Sequence, residues 1–269
     1  CCRDSPIGAG SRFLPPDPGQ NAWVRFLNTN PSHDLTYNDV FMAPNRSAVT
    51  SRFDVDLTSR DGIELPLPLV VANMTAISGR RMAETVARRG GLAVLPQDIP
   101  VDVLTASMAK VKAAPTVFET PVTVDPTVTV GEAMALLPKR SHGAVIVIDA
   151  ERIPVGILGT SETDGVDRFS QVHEVMSTHL TVIPDTSTPQ DVFDLLAETR
   201  QKLAIAVDGS GALVGVMSSR GALRCAIYSP ALDPQGRLMV AVAIGISGDS
   251  AGRARALLDA GADVLVMDT

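Results

Sequence analysis

Pro68-Leu69-Val70-Val71-Ala72 is a continuous apolar run of strand length, and Asn73-Met74-Thr75-Ala76 follows it as a turn. Residues 79–89 then put Met82, Ala83, Val86 and Ala87 on one helical face, with Arg80, Arg81, Glu84, Arg88 and Arg89 on the remainder. Gly90-Gly91 stops the helix, because a left-handed C-terminal position costs glycine little. Residues 92–95 read as the next strand and 101–113 as the next helix, giving β-α-β-α. The same grammar returns near the other end. Val240-Ala241-Val242-Ala243-Ile244 is a strand, a helix covers about 249–260, and Val264-Leu265-Val266-Met267 is a strand again. Strands apolar on both faces belong to parallel sheets covered by helices. Four such units in order indicate a (β/α)8 barrel or a doubly wound sheet. No G-x-G-x-x-G follows the first strand, which weighs against the dinucleotide-binding form of the latter. The expected class is therefore α/β, the N-terminal part (strands 1–4) of a (β/α)8 TIM barrel.

Between the two stretches lies an internal repeat. Val122-Thr123-Val124 recurs as Leu180-Thr181-Val182, and Val155-Gly156-Ile157-Leu158 recurs as Val214-Gly215-Val216-Met217. Each copy opens a helix on a cap: Thr129 with Glu132 at capping-box spacing, and Thr188 with Pro189 at the first helical position. Each then runs into a β-hairpin, 144–148 to 155–158 in the first copy and 203–207 to 213–218 in the second, the latter turning through Asp208-Gly209-Ser210-Gly211. Caps and hairpins recurring in register indicate a packed pair at about 115–170 and 171–228, inserted between sheet segments 24–114 and 229–269.

The 269 residues are 45% apolar, enough to bury a core, and the net charge of -7 disfavours nucleic acid or an anionic membrane as partner. No apolar run approaches the length of a membrane span. Cys1, Cys2 and Cys225 make no disulfide framework, which points to a cytoplasmic location. His33, His142, His173 and His179 lack metal-pair spacing, so no metal site is expected. Residues 1–23, rich in proline and glycine, read as a disordered leader outside the natural product, with translation expected to begin near Val24.

Leu35-Thr36-Tyr37-Asn38-Asp39-Val40, Ala72-Asn73-Met74, Gly90-Gly91-Leu92, the paired repeat, Gly236-Arg237-Leu238 and the run from Ala262 to Asp268-Thr269, taken in order, resemble the IMP dehydrogenase/GMP reductase family. The resemblance covers essentially everything from Val24 onward, and the inserted pair resembles tandem CBS domains. It implies hydride transfer between a nicotinamide cofactor and C2 of a purine mononucleotide, through a covalent adduct on a cysteine. In this family that cysteine follows the sixth strand, so the nucleophile is expected beyond Thr269 and residues 1–269 alone are expected to be inactive. Cys225 reads as a small buried hydrophobe.

By resemblance, Ala72, Asn73 and Met74 face the purine base. Asp268 and Thr269 contact the cofactor, with Asp268 accepting from a ribose hydroxyl. A helix N-cap is the local alternative for Asp268, and Asp39 reads as a structural hydrogen-bonding residue. Ala72-Asn73-Met74 resembles the Ala-Asn-Met of GMP reductases rather than the Ser-Pro-Met of many IMP dehydrogenases. Pro96-Gln97-Asp98 stands where the family commonly has histidines. The combination resembles an actinobacterial subgroup of GMP reductases that carry CBS domains. The resemblance thus implies NADPH-dependent conversion of GMP to IMP. The alternatives are NAD-dependent oxidation of IMP, with a monovalent cation such as K+, and a non-catalytic nucleotide sensor. Glu162 and Ser218, near Gly159 and Gly221, fall close to the positions where CBS pairs hold ATP or GTP; a module kept for oligomer contacts is the alternative, above all for the second repeat. A homotetramer or larger assembly is the family expectation.

Overall fold

The computed structural model describes residues 33, 35–42, 46, 48–139 and 142–268. The leader, the start near Val24 and Thr269 therefore lie outside the described residues. Two compact units divide at Val55. In the first, short 3-10 turns occupy Tyr37–Asp39 and Arg52–Asp54. Asp39 Oδ2 accepts hydrogen bonds from the Thr36 amide and hydroxyl, both at 2.9 Å. These bonds from Thr36 hold the Asp39 carboxyl below its usual pKa.

The second unit begins with β1 (Val70–Val71), α1 (Arg80–Ala87), β2 (Leu92–Leu95) and α2 (Val101–Lys112), and closes with β9 (Ala241–Gly245), α8 (Ser250–Asp259) and β10 (Val264–Asp268). These four strands form one parallel sheet in the order β1-β2-β9-β10, with Val70 opposite Leu92, Val94 opposite Ala241 and Val264 opposite Ala241. The interior strands are buried almost throughout, as their unbroken apolar runs require. On one face Leu95, Leu104, Met108 and Leu257 are at most 2% exposed. Burial of side chains this size contributes about 1.5–3 kcal/mol each.

Two expectations are corrected. The apolar run 68–72 yields a strand of only two residues, Val70 being 53% exposed. Pro68 has no amide to give a ladder, and β1 is an edge with one neighbour. Glu84, expected on the open side of α1, is buried and held by Arg80 at 3.2 Å and Arg88 at 3.9 Å. The chain entering the insertion covers that flank, since Arg88 donates to the Pro115 carbonyl and the Thr120 hydroxyl, each at 2.8 Å.

The insertion contains β3 (Thr123–Val124), α3 (Val130–Met134), β4 (Ala144–Ile148), β5 (Pro154–Gly159), α4 (Thr160–Thr163) and α5 (Val172–Val175), then β6 (Val182–Pro184), α6 (Pro189–Thr199), β7 (Leu203–Val207), β8 (Leu213–Ser218) and α7 (Ser219–Ile227). Each half is a three-stranded sheet with one parallel pair and one antiparallel hairpin. Both helix starts form reciprocal capping boxes, Thr129 with Glu132 and Thr188 with Asp191. Ala144, Ile146, Leu203, Ile205, Leu213 and Val216 make one buried cluster from both halves, so the two sheets pack face to face.

The insertion's ends attach close together. Ala231 donates its amide to the Ala87 carbonyl at 2.7 Å, and Glu119 and Val216 exchange both backbone bonds at 2.8 and 3.0 Å. Behind them Lys112 Nζ reaches Asp233 at 2.9 Å and Asp263 at 2.7 Å, and Asp263 also accepts the Val240 amide at 2.7 Å.

Candidate functional site

Parallel strands present all their carboxyl ends on one edge, the place where such sheets carry their ligand groups. Here that edge gathers Ala72-Asn73 after β1, Pro96-Gln97-Asp98 after β2, Gly245 closing β9 and Asp268 closing β10. Asn73 Nδ2 donates to Asp268 Oδ2 at 2.6 Å, and Gln97 Nε2 donates to the same oxygen at 3.1 Å. Amide donors on an ionised carboxylate make strong, orienting bonds. Asp268 Oδ1 takes no hydrogen bond among the described residues, which leaves it open to a hydroxyl.

The Asn73–Asp268 bond also reports on the sheet. β1 and β10 are its two outer strands. Laid flat, they would stand three strand spacings apart, about 14 Å. A direct side-chain bond across that interval requires the carboxyl ends to converge, so the sheet is coiled.

The loop after β2 is pinned from both sides. Arg253 on α8 donates to the carbonyls of Gln97 and Ile99 at 2.7 and 2.9 Å, and the Thr75 hydroxyl donates to the Asp98 carboxylate at 3.0 Å. Gly245 lets Gln97 lie across the end of β9, because a Cβ there would meet Gln97 Oε1 at 2.6 Å. Ala72 and Met74 are exposed beside the cluster, Met74 by 57%.

Of the residues singled out in the sequence, Asn73 and Asp268 are thus brought together, Asp268 as the last residue of β10. Thr269 lies outside the described residues. In the sequence Gln97 and Asp98 stand out only as departures from a family pattern, and nothing there marks Thr75 or Arg253 as site residues. The available signal was polar residues directly after two successive apolar strands.

Glu162 and Ser218 lie in the insertion, each at a helix start. Glu162 Oε2 accepts the Gly159 amide at 2.8 Å and Oε1 the Ser161 hydroxyl at 2.8 Å, capping α4. Partial burial opposes ionisation of Glu162, but the bonds from Ser161 and Gly159 prevail and hold its pKa below the usual value. Ser218 accepts the Gly221 amide at 3.1 Å as the N-cap of α7. A cleft of about 320 Å³ between the two halves of the insertion is lined by Glu162, Ser161 and His142 on one side and by Thr181, Arg200 and Lys202 on the other; Ser218 does not line it. Cys225, expected to be buried, is exposed, with Sγ 3.8 Å from the Val117 carbonyl. The last turn of α7 faces a second cavity rather than the core. Partial shielding of the sulfur, and then Glu119, raise its pKa.

Among the described residues no three His, Cys, Asp or Glu side chains are grouped to hold a metal ion, and no helix is long and apolar enough to cross a membrane.

These features define a class: an α/β protein on a coiled parallel sheet, with a polar site at the carboxyl edge and a duplicated αβ insertion. Residues 34–269 match the family model for the IMP dehydrogenase / GMP reductase domain, and the chain belongs to that family of oxidoreductases. It is 50% identical over 247 residues to a GMP reductase of Mycobacterium tuberculosis, a match covering 91% of this chain and 51% of the relative. It is 33% identical over 244 residues to an inosine-5'-monophosphate dehydrogenase of Staphylococcus aureus, covering 87% and 49%. The chain spans about half the length of the curated relatives it matches. Among solved structures it resembles the Trypanosoma brucei GMP reductase in complex with guanosine 5'-triphosphate, with TM-score 0.60 and 31% identity over 87% of this chain and 58% of that one. The same enzyme's C318A form in complex with guanosine 5'-monophosphate gives TM-score 0.60 and 30% identity over 87% and 52%.

Proposed function

We propose that this chain supplies strands 1–4 of a (β/α)8 TIM barrel, in segments 24–114 and 229–269, with a tandem CBS module at 115–228. The whole protein, by this reading, is a cytoplasmic GMP reductase that converts GMP to IMP and ammonia with NADPH. The observation that carries it is the 2.6 Å bond from Asn73 to Asp268. It coils the sheet as a barrel requires. It also needs an amide at the second position of Ala72-Asn73-Met74, where the Ser-Pro-Met of many IMP dehydrogenases puts a proline without a side-chain donor. The 50% identity to a mycobacterial GMP reductase, against 33% to a dehydrogenase, supports the same choice.

Bound NADPH supplies the hydride. The residues of this chain bind and orient. Asp268 offers its open Oδ1 to a ribose hydroxyl, with Thr269 as a second cofactor contact by resemblance, while Asn73 and Gln97 hold the other oxygen and fix the carboxylate plane. Ala72 and Met74 give the purine base a small surface and a polarizable contact. Regulatory ATP or GTP is assigned to the cleft lined by Glu162, where Arg200 and Lys202 supply cations for phosphate; Ser218 lies outside that cleft as the N-cap of α7. The barrels assemble as a homotetramer or larger.

The test is an assay of the whole protein. GMP-dependent NADPH oxidation is the expected result. NADH formation from IMP, with no GMP-dependent oxidation, would refute the reading.

A further inference from the structure

We propose that the cleft between α1 and α7 is an anion site for a phosphate-bearing small molecule, held by Arg89 and Arg224, that ties the insertion to the parallel sheet's first helix. The cavity measures about 380 Å³, a size suited to a small ligand. One wall comes from α1 and the residues just after it, with Arg81, Arg88 and Arg89; the other comes from α7, with Arg224 and Cys225. Glu119 is the one carboxylate among the lining residues. Four arginines and one carboxylate thus line the cleft, in a chain whose net charge is -7.

The arginines are not equivalent. Arg88 is committed to Pro115 and Thr120 and serves as wall. Arg89 gives Nη1 to the Thr85 carbonyl at 2.6 Å, and no bond is formed by its other nitrogens among the described residues. Arg224 forms no side-chain hydrogen bond among the described residues. Burial lowers the Arg89 pKa, and the facing Arg224 lowers it further, with Glu119 opposing. Two like charges facing each other in a partly shielded cleft repel, and a ligand carrying two or more negative charges converts that cost into attraction. Val117 and Met217 add an apolar strip beside the cations. Because the two arginines come from opposite sides, an anion bound by both restrains the insertion against the sheet.

Cys225 lines the same cleft and serves as reporter. Its alkylation by iodoacetamide in the full chain is timed by peptide mass, which separates it from Cys1 and Cys2. Tripolyphosphate at about 1 mM is expected to slow Cys225 alkylation by roughly fivefold, by simple occupancy. The protection is expected to weaken as NaCl screens the charges. It should vanish in Arg224→Gln and in Arg89→Gln, and persist in Arg224→Lys and in Glu162→Gln. The last variant separates this cleft from the one between the insertion's halves, and a melting curve for each variant confirms that it is folded. Protection by ATP but not by tripolyphosphate, lost in the same two variants, identifies the ligand as a nucleoside phosphate. No protection by either compound, or protection unchanged in folded Arg224→Gln and Arg89→Gln, overturns the proposal.

Discussion

Replacing Lys112 by methionine keeps the aliphatic stem and deletes the ammonium group. Lys112 is 8% exposed, and its Nζ makes bonds of 2.7–2.9 Å to two carboxylates, Asp233 from the segment that returns from the insertion and Asp263 just before β10. Breaking a buried pair by removing one partner costs about 3–5 kcal/mol, because it strands the opposite charge. Two compensations favour the low end. Asp233 retains Arg237 at 2.9 Å, and Asp263 retains the Val240 amide at 2.7 Å. The expected loss is therefore about 3 kcal/mol, read as a shift of urea midpoint at unchanged slope. At roughly 2–4 °C per kcal/mol for a unit of this size, the melting temperature falls by about 6–12 °C. Hydrogen exchange should accelerate first at Ala231 and Met239, whose backbone bond lies beside Asp233. Adding Asp263→Asn should recover part of the loss, since one stranded charge is then gone. A loss below about 1 kcal/mol, or a double variant that is simply additive, would refute the reasoning.

Other outcomes follow from the same geometry. Burial raises the Asp233 pKa, but hydrogen bonds from Lys112 and Arg237 outweigh it and bring the value to about 2, below the ordinary 3.8. A depressed carboxylate stabilises fully above its unfolded pKa and loses that contribution as pH falls through its folded one. Asp233 should thus withdraw about 2 kcal/mol between pH 4 and 2, a step that acid titration of Asp233→Asn should lack. Thr188→Ala removes the α6 capping box, Oγ1 to Asp191 included at 2.6 Å, and should cost about 1 kcal/mol in urea melts. Gly90 has φ +88, and a Cβ there would sit 2.7 Å from the Ser229 carbonyl oxygen. Gly90→Ala should therefore cost about 1–3 kcal/mol; a neutral result would show that the segment at Ser229 yields easily.

What the sequence disclosed was what neighbours along the chain decide. Thr129 with Glu132, Thr188 with Pro189, and the Asp208–Gly211 turn act within a few residues, and the strands and hairpins they delimit appear in the structure with bounds shifted by a residue or two. The short span of β1 is not legible, because apolar composition does not say whether a strand has a second neighbour. The burial of Glu84 is equally hidden, because helical periodicity assumes one covered face and the entry to the insertion covers another. The site divided in the same way. Asn73 and Asp268 were found one at a time, through resemblance, but their bond spans 195 positions and is legible only in three dimensions. Lys112, Asp233 and Asp263 gave no local signal, since each looks like an ordinary surface charge until folding brings them together.

The insertion leaves and rejoins the sheet at almost one point, with Ala231 bonded to Ala87 and Lys112 holding both Asp233 and Asp263. For the sheet, everything between is a closed loop, and the entropy of closing a loop grows only with the logarithm of its length. Lineages could therefore enlarge, shrink or exchange this cassette at small thermodynamic expense, so long as the ends meet at the same place. Selection on the insertion can then proceed almost independently of selection on the sheet.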